Sequence, residues 1–518
     1  MNGKVLKHVL LALTLVGFLA GPALADKSTL VIAWYASVKS LDPAIATSAT
    51  ERQKILLVNE RLLRYDRQGN LKPHLAESWK ASADMKTYTF YLRKGINFTD
   101  GAPFNAQAVK FTFERTMSIG AGPSKVFKNV ESIETPDEHT VVIKLKEPDA
   151  LFVPVSIATH FGNQIVSPKT IKANATNDDP WAQKWAGSNL VGTGPYKLLK
   201  FDPSLHAVLE RNPDYWMGWK DKYIETVVIK PVREHNTRKT MLLMGEADII
   251  SEVSPLDREQ LEATKGVQVK PIKTTHTNYY FFNHLFKPFK DGRIREAMAL
   301  AYDYDAAVKM SRGMVTLIRG PFPASFLGHD SSIPVGQRDL EKTKKLVGEA
   351  GVKPGELKVR LMYFTGNDFR RRIAELFRSN MADIGIEVTL LPREWVQLKA
   401  QAFNPKTRPE LVHYETWPAI LDPMDILQRH FITGATLDAA SYTNPEVNKI
   451  ANELRGTADV ERRKELSKKA QNIVYNDHPA LFLWTSTDLE GVRTRVRGYE
   501  PYPAYSGYYD VHEMYLEN

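Results

Sequence analysis

Apolar and polar side chains alternate along Thr87–Leu92 and then change to a helical period. The alternation is typical of a strand with one buried face. That face would be formed by Tyr88, Phe90 and Leu92. Asp100-Gly101 gives a turn signal, and Asn105 is a candidate helix N-cap. The apolar stripe of the predicted helix is Val109, Phe113 and Met117. This region therefore predicts a strand, a turn and an amphipathic helix, in that order.

The second half of the chain predicts longer helices, each followed by a strand. Asp291 would cap a helix over Arg293–Tyr302, and Asn367 or Asp368 would cap the next. The stripe of that second helix is Phe369, Ile373, Leu376 and Met381. Gly385 would end it, before a strand with Ile386, Val388 and Leu390 on one face. With alternating strands such as Thr140–Leu145 in the first half, the chain is predicted to be α/β with an insertion rich in antiparallel strands.

The segment Leu71–Arg115 carries a chain of motifs in a fixed order. It reads P-x-L-A-x-S-W, then S-x-D-x-x-T-Y-T-F-x-L-R-x-G, then F-x-D-G-x-P-F-x-A-x-x-V-x-F-x-x-E-R. In this order the motifs closely resemble those of the solute-binding proteins of peptide and nickel ABC importers. Met85 is the main departure, because the family usually has Gly there.

The resemblance continues along most of the chain. Further matching stretches are Ser40-Leu41-Asp42-Pro43, Glu60 to Asp66, Gly192-Thr193-Gly194-Pro195-Tyr196, Leu209 to Trp216, Gly245-Glu246-Ala247-Asp248 and Lys290 to Ala297. It implies a two-lobe periplasmic binding protein fold with a cleft between the lobes and an extra domain inserted in the first lobe. No internal repeat or Gly/Ser linker marks the borders, which suggests lobes built from discontinuous segments joined by strands.

The resemblance also implies borders for these units. Lobe I would comprise residues 26–59, 189–270 and 486–518, the inserted domain residues 60–188, and lobe II residues 271–485. The chain would cross between the lobes near Thr274–Asn278 and Leu483–Ser486.

In the resembled family, a few loops enclose the ligand between the lobes. The corresponding residues here are Trp34, Tyr35 and Ala36 after the first strand, Tyr363 and Phe364 in lobe II, and Glu415, Thr416, Trp417 and Ala419 before Asp422-Pro423. A cleft site needs rigid apolar surface with a few polar anchors, so we interpret Trp417 as an aromatic wall. Its alternative role is a core residue that supports the turn. Asp422 is predicted to be structural and to hold that turn.

Two departures bear on the ligand. Peptide-binding relatives carry an Asp for the α-ammonium where this chain has Ala419, and dipeptide-binding relatives carry an Arg for the α-carboxylate where it has Phe364. A buried charge without a partner is costly, so free dipeptides are not expected to bind. Glu415 is a possible substitute acid from a neighbouring position. The ligand is therefore expected to be peptide-like, opine-like, glycoside-like or aromatic, and the sequence does not choose among these.

Composition bears on export. Residues 1–25 are predicted to be a cleaved signal peptide, with Lys4 and Lys7 before the apolar run Val9–Leu19 and the small-residue site Ala23-Leu24-Ala25. The run is shorter than the roughly 18 residues that span a bilayer. The chain contains no cysteine, which excludes disulfides, thiol catalysis and lipid attachment through a cysteine. These features predict a protein released into a Gram-negative periplasm.

The net charge of +9 at pH 7 would fall by two, to +7, with the loss of Lys4 and Lys7. The basic residues are spread along the chain without a run of five, so the clustered footprint of a nucleic-acid-binding protein is missing. The expected partners are a small-molecule ligand and an ABC permease with its ATPase subunits, and the chain is expected to act as a monomer. No cofactor is expected.

The sequence favours two alternative functions less than binding of an organic solute. A nickel-chelate binder of the same fold is possible, with His430 or Met424 near the metal, but the thirteen histidines show no metal-site motif. An exported hydrolase is disfavoured, because the motifs G-x-S-x-G, H-E-x-x-H and G-x-x-x-x-G-K-[ST] do not occur. The chain is therefore predicted not to be an enzyme.

Overall fold

The computed structural model describes residues 28–67, 69–159, 163–365, 368–418, 420–502 and 507–517. Its strands are β1 Thr29–Trp34, β2 Leu63–Tyr65, β3 Leu71–Pro73, β4 Ala76–Ala81, β5 Thr87–Leu92, β6 Val130–Asp137, β7 Thr140–Leu145, β8 Tyr196–Asp202, β9 His206–Arg211, β10 Thr226–Pro231, β11 Ile249–Ile250, β12 Val267–Phe282, β13 Val315–Leu317, β14 Lys358–Phe364, β15 Glu387–Arg393, β16 Leu411–Thr416, β17 Ala480–Arg493, β18 Val496–Arg497 and β19 Tyr515–Leu516.

Its helices are α1 Ala49–Val58, α2 Ala106–Ile119, α3 Pro168–Ala173, α4 Gln183–Ala186, α5 His235–Met244, α6 Arg258–Glu262, α7 Gly292–Ala301, α8 Tyr304–Ser311, α9 Leu340–Glu349, α10 Asp368–Ala382, α11 Trp395–Ala402, α12 Pro423–Ile426, α13 Pro445–Gly456 and α14 Val460–Asp477. Short 3₁₀ turns cover Gly122–Phe127, Lys287–Lys290 and Val511–Glu513, and π-helical turns cover Phe152–Ile157 and Leu427–Phe431. The predicted signal peptide lies outside the described residues. No helix in the described ranges is both long and apolar enough to cross a membrane.

The periodic segments fold as the sequence predicts. β5 buries every second side chain, and the oxygen of Asn105 accepts a hydrogen bond from the backbone N–H of Ala108, which caps α2. Asp291 accepts from the N–H of Arg293 at the start of α7. α10 begins at Asp368, while Asn367, the alternative cap, lies outside the described residues. Gly385 follows α10 at a φ of 76°, a conformation that favours glycine.

The backbone conformation at Met85 accounts for the glycine that the family usually has at this position. Its φ is 56°, in the left-handed region where glycine costs least and a side chain is uncommon. The N–H of Met85 donates to the carbonyl of Ser82 at 3.0 Å, which closes the turn between β4 and β5. Met85 therefore occupies a turn position that favours glycine.

One large sheet runs through the described part of the protein. Its strand order is β15-β14-β16-β12-β17-β11-β1-β10-β9-β8, and β13 also pairs with β17. The long strands β12 and β17 pair with each other and with strands on either side of them. Separate apolar cores form around β1 and β9–β10 and around β14–β16. This is the mixed α/β, two-lobe architecture that the sequence predicts.

A second sheet, in the order β4-β5-β7-β6, is antiparallel and lies within the segment predicted as the inserted domain. The buried ion pair of Asp42 and Arg115 joins this segment to the chain that follows β1. Both guanidinium nitrogens donate to the carboxylate at 2.7 Å, and both side chains are essentially inaccessible to solvent. Such a bidentate pair fixes orientation as well as position. The residue borders of the domains stay a prediction.

Candidate functional site

The two long strands meet irregularly at the predicted crossing. The pairing of β12 with β17 shifts between Lys273 and Thr277, within the segment expected to join the lobes. Thr274 bridges the irregularity, because its hydroxyl donates to the carbonyl of Ser486 at 2.8 Å. Side chains from both halves of the sheet therefore converge around this point.

Trp417 forms one wall of the region. It is 55% exposed, so it is not a core residue. Its ring stacks on Trp395 of α11, with centroids 6.0 Å apart, and approaches His276 of β12 at 5.5 Å. Trp395 in turn stacks on Tyr414 at 5.7 Å. The outermost ring of this stack is open to solvent and held rigidly from behind, as an aromatic contact surface requires.

Three of the predicted contact residues lie below the surface. Trp34 is 5% exposed, and its indole N–H donates to the hydroxyl of Thr50 at 3.0 Å. Tyr363 packs into the apolar core around β14–β16, and Thr416 is buried as well. The alternation of a strand turns these side chains away from the open face that their neighbours occupy. The structure gives them a supporting position beneath the site.

Tyr35 and Ala36 are partly exposed at the end of β1. The backbone N–H of Tyr35 donates to the hydroxyl of Ser251 at 3.1 Å, which holds the tyrosine beside the loop after β11. Burial and then the negative charge of Glu252 raise the pKa of the Tyr35 hydroxyl. The tyrosine therefore stays neutral and able to donate a hydrogen bond.

Glu415 is held by a network within the site. Its carboxylate accepts from Arg370 at 2.8 Å, from the Ser486 hydroxyl at 2.8 Å and from the Asn278 amide at 3.3 Å. Burial alone would raise the pKa of Glu415, but Arg370 foremost, then His276 and the Ser486 hydroxyl, hold it at about 2. Glu415 is therefore ionised and already paired, so it is not a free substitute for the missing ammonium partner.

Phe364, the last residue of β14, lies against Arg370 in the first turn of α10. The guanidinium carbon of Arg370 is 5.2 Å from the centroid of the Phe364 ring, which is within the range of a cation–π contact. The guanidinium is thereby held between the ring and Glu415. Position 364 itself carries no charge, but a positive charge borne by a residue of α10 lies against it.

No sequence motif points to two further acids near this region, Glu252 and Asp488. Neither side chain forms a hydrogen bond or ion pair in the described part of the chain. Glu252 is solvent-exposed and Asp488 half-buried, yet burial is the main cause that raises the pKa of each carboxyl. Surrounding protein therefore partly shields both carboxyls from water.

A backbone hydrogen bond holds the segments that carry these two acids together. The N–H of Val253 donates to the carbonyl of Leu489 at 2.9 Å. The negative charge of Asp488 adds to the rise in the pKa of Glu252, and Arg238 and then Arg370 oppose it. The backbone φ of Glu252 is 52°, which is uncommon for a residue other than glycine. The charges of Glu415 and Arg370 act on both acids, so the two acids and the Glu415–Arg370 pair lie near each other.

The other residues predicted from sequence lie in the turn before α12 and in the core. Asp422 caps α12 by accepting from the N–H of Met424 at 2.9 Å and pairs with Arg463, which confirms its structural role. Ala419 lies outside the described residues. His430 and Met424 are buried in the core, and burial lowers the pKa of His430 to about 3. Among described residues, no group of three or more His, Cys, Asp or Glu could hold a metal ion.

Sequence reasoning missed Glu252, Arg370, Trp395 and Asp488. None of them belongs to a motif, and Arg370 was missed although it is six positions from Phe364. The partial burial of Trp395 at the start of α11 is seen only in the structure. The two acids are recognised only in the structure, where their carboxylates have no hydrogen-bond or ion-pair partner among the described residues.

Comparison with known proteins identifies the family and the fold. The family described as bacterial extracellular solute-binding proteins, family 5, matches residues 70–436. The chain is 28% identical to the probable D,D-dipeptide-binding periplasmic protein DdpA of Escherichia coli, with 98% of each chain covered. It is 26% identical to the dipeptide-binding protein of the same organism, over 94% of this chain and 95% of the other.

The fold also matches solved structures. HbpA2 from Haemophilus parasuis superposes with a TM-score of 0.83 at 24% identity, covering 95% of this chain and all of the other. At this level of identity the likeness establishes the fold alone.

Proposed function

This chain belongs to the bacterial extracellular solute-binding proteins of family 5, and from that premise we propose that it binds a small organic solute bearing a protonated amine. The solute would be peptide-like, and the protein would present it in the periplasm to an ABC permease with its ATPase subunits. The chain would reach the periplasm through cleavage after residue 25 and would work as a monomer. The relatives described above are binding proteins of transport systems, and catalysis is not part of the proposal.

The pair Glu252 and Asp488 carries the proposal. An ionised carboxylate partly removed from water is costly unless a cation or hydrogen-bond donors compensate it. Glu415 is paired with Arg370, whereas neither Glu252 nor Asp488 forms an ion pair within the described residues. Arg238, Arg370 and His276 only partly offset the causes that raise the pKa of these two carboxyls. A ligand ammonium placed between the two acids would supply the missing positive charge and hydrogen bonds.

The aromatic groups complete the binding surface. Trp417 offers an open ring face, and Tyr35 offers a hydroxyl beside the acids. We propose that Ala36, Phe364 and the backbone at Glu415 border the same cleft, with Trp34, Tyr363 and Thr416 supporting it. A rigid apolar wall with a few convergent polar groups is the usual form of a small-molecule site.

Free dipeptides belong among the candidate ligands on this proposal. Their predicted exclusion depended on positions 364 and 419 alone. Glu252 and Asp488 offer negative charge to an ammonium from lobe I, and Arg370 places positive charge beside Phe364. The same binding screen therefore decides both the exclusion and the proposal.

The test uses purified chain without residues 1–25 and three probes that differ in charge. Alanyl-alanine carries both charges, alanyl-alaninamide only the ammonium, and N-acetyl-alanyl-alanine only the carboxylate. We expect thermal stabilisation by the first two probes and none by the third. Binding of the acetylated probe as tightly as the free amines would overturn the proposal.

Substitutions then test which carboxylates bind the ligand amine. Glu252→Gln and Asp488→Asn should each weaken alanyl-alaninamide by roughly tenfold or more, because a charged hydrogen bond contributes about 1.5–3 kcal/mol. Glu246→Gln is the matched control, since Glu246 is an exposed acid at the end of α5. Unchanged affinity in both cleft variants would place the amine elsewhere.

The nickel-chelate alternative has no specific observation in its favour. His430 donates from Nδ1 to the carbonyl of Leu437, 3.0 Å away, and packs against the ring of Phe281. His276 lies beside Trp417, and the described residues contain no group of three or more His, Cys, Asp or Glu that could hold a metal ion. Adding nickel with free histidine to the same thermal-shift screen tests this alternative directly.

A further inference from the structure

β17 carries a second acid directly behind the proposed amine site. Ser486, Asp488 and Glu490 occupy every second position of the strand and so lie on one face of it. The spacing of alternate residues places the Cα atoms of Asp488 and Glu490 roughly 7 Å apart. Asp488 borders the cleft, whereas Glu490 is 4% exposed. A buried acid and a cleft acid are therefore neighbours on one rigid element.

The partners of Glu490 are neutral. Its carboxyl is bound by the hydroxyl of Tyr499 and by that of Tyr509, the latter at 2.9 Å. Tyr509 packs edge-on against Trp34, with ring centroids 6.2 Å apart, so the carboxyl lies in the core beneath the end of β1. Lys270 is opposite Glu490 in the ladder with β12, but no ion pair joins them. The charged or titratable groups around Glu490 are thus Asp488, Lys270, Tyr499 and Tyr509.

A cation bound at Asp488 would lower the pKa of the Glu490 carboxyl. Burial, and then the negative charge of Asp488, raise the pKa of the Glu490 carboxyl to about 7, despite the two hydroxyl donors. A cation bound at Asp488 would cancel the second of these causes. The proton on Glu490 would then be held less tightly, because its conjugate base no longer faces a neighbouring negative charge.

We propose that Glu490 is a proton switch behind the amine site: its carboxyl loses a proton when a cationic group binds beside Asp488, which couples capture of the cation to proton release. The proposal rests on the proposed function, since it needs a cation at Asp488. By linkage, the amine would bind more tightly as the pH rises through neutrality, and binding would acidify the medium. No covalent step is involved.

The decisive experiment needs no ligand. Asp488→Asn removes the same charge that a bound cation would cancel. Infrared difference spectra of the full chain between pH 5.5 and 8.5 report the protonated carboxyl, and the band that disappears in Glu490→Gln belongs to Glu490. We expect its midpoint to fall by about half a pH unit or more in Asp488→Asn. Glu246→Gln should leave the midpoint unchanged.

An unchanged midpoint in Asp488→Asn, or a Glu490 fully ionised at pH 5.5 in the natural chain, would overturn the switch. These outcomes do not depend on any ligand, so they are distinct from failure of the amine proposal. Where alanyl-alaninamide binds, calorimetry at pH 7 in two buffers of different ionisation enthalpy should show proton release. That release should be lost in Glu490→Gln, and its persistence there would assign the proton to another group.

Discussion

At the scale of single residues, exposure separates the aromatic side chains by role. Trp34 is buried and donates to Thr50, whereas Trp417 is more than half exposed and is supported from behind by Trp395. The two tryptophans were selected from sequence for the same reason. Their packing shows that one supports the site and the other faces it.

Trp417→Ala should weaken binding of the cognate solute by more than about 1 kcal/mol, the scale of a lost aromatic contact. Its melting temperature should stay close to that of the natural chain, because little buried surface is lost. Calorimetry and thermal denaturation measure the two effects. Leu256→Ala, at another exposed apolar residue, is the control. A large drop in melting temperature with normal binding would contradict the assignment.

Glu490 predicts a pH dependence of stability. Its pKa is raised from 4.5 to about 7 in the folded chain, so between these values the folded state binds more protons than the unfolded state. Stability therefore falls as the pH rises through this window, by about 3 kcal/mol at most, and levels off above it.

The measurement is urea denaturation at pH 5 and pH 8. As the pH rises, the natural chain should lose unfolding free energy relative to Glu490→Gln. Glu246→Gln should follow the natural chain at both pH values. A constant difference between the natural chain and Glu490→Gln would show that the carboxyl titrates normally.

At the scale of elements, short polar and glycine signals fix where helices begin and end. Asn105, Asp291 and Asp368 mark starts that the structure reproduces. Gly385 marks an end: a Cβ added there would lie 2.8 Å from the Cα of Pro354, in a backbone conformation that side chains rarely adopt. Both effects oppose a larger residue.

Gly385→Ala should therefore destabilise the fold by about 1–3 kcal/mol. Gly456→Ala is a matched control, since Gly456 ends α13 with no atom within 4 Å of the added Cβ and no positive φ. That variant should be neutral or slightly stabilising. Equal stability of the two variants in chemical denaturation would argue against strain at Gly385.

At the scale of the whole molecule, β12 and β17 connect the two halves, and their pairing is irregular at the crossing. A local break in a ladder is where rotation of one lobe costs fewest hydrogen bonds. The charges of Glu252 and Asp488 act on each other and on the Glu415–Arg370 pair near this point. A solute that contacts both sides would hold the lobes together.

Ligand binding should therefore reduce the radius of gyration without changing the secondary structure. Small-angle scattering and circular dichroism, with and without saturating solute, test this. Asp488→Asn at the same solute concentration should remain in the unliganded form. An unchanged radius at saturation in the natural chain would contradict closure.

The sequence by itself determined the local structure and the family. Alternation along β5, the cap at Asn105 and the order of motifs in Leu71–Arg115 depend on neighbouring residues, so they can be read without a fold. The same motifs located the loops that hold Tyr35, Phe364 and Trp417. The absence of cysteine excluded thiol chemistry at once.

Tertiary structure alone decided which of these residues face the cleft and which charges lack partners. Trp34 and Trp417 differ in exposure because of the layers packed behind them. Glu415 is paired with Arg370, 45 positions away, whereas Glu252 and Asp488, which are 236 positions apart, lie near each other without an ion-pair partner among the described residues. Charge pairing depends on distance in space, and the electrostatic character of the site is therefore a property of the fold.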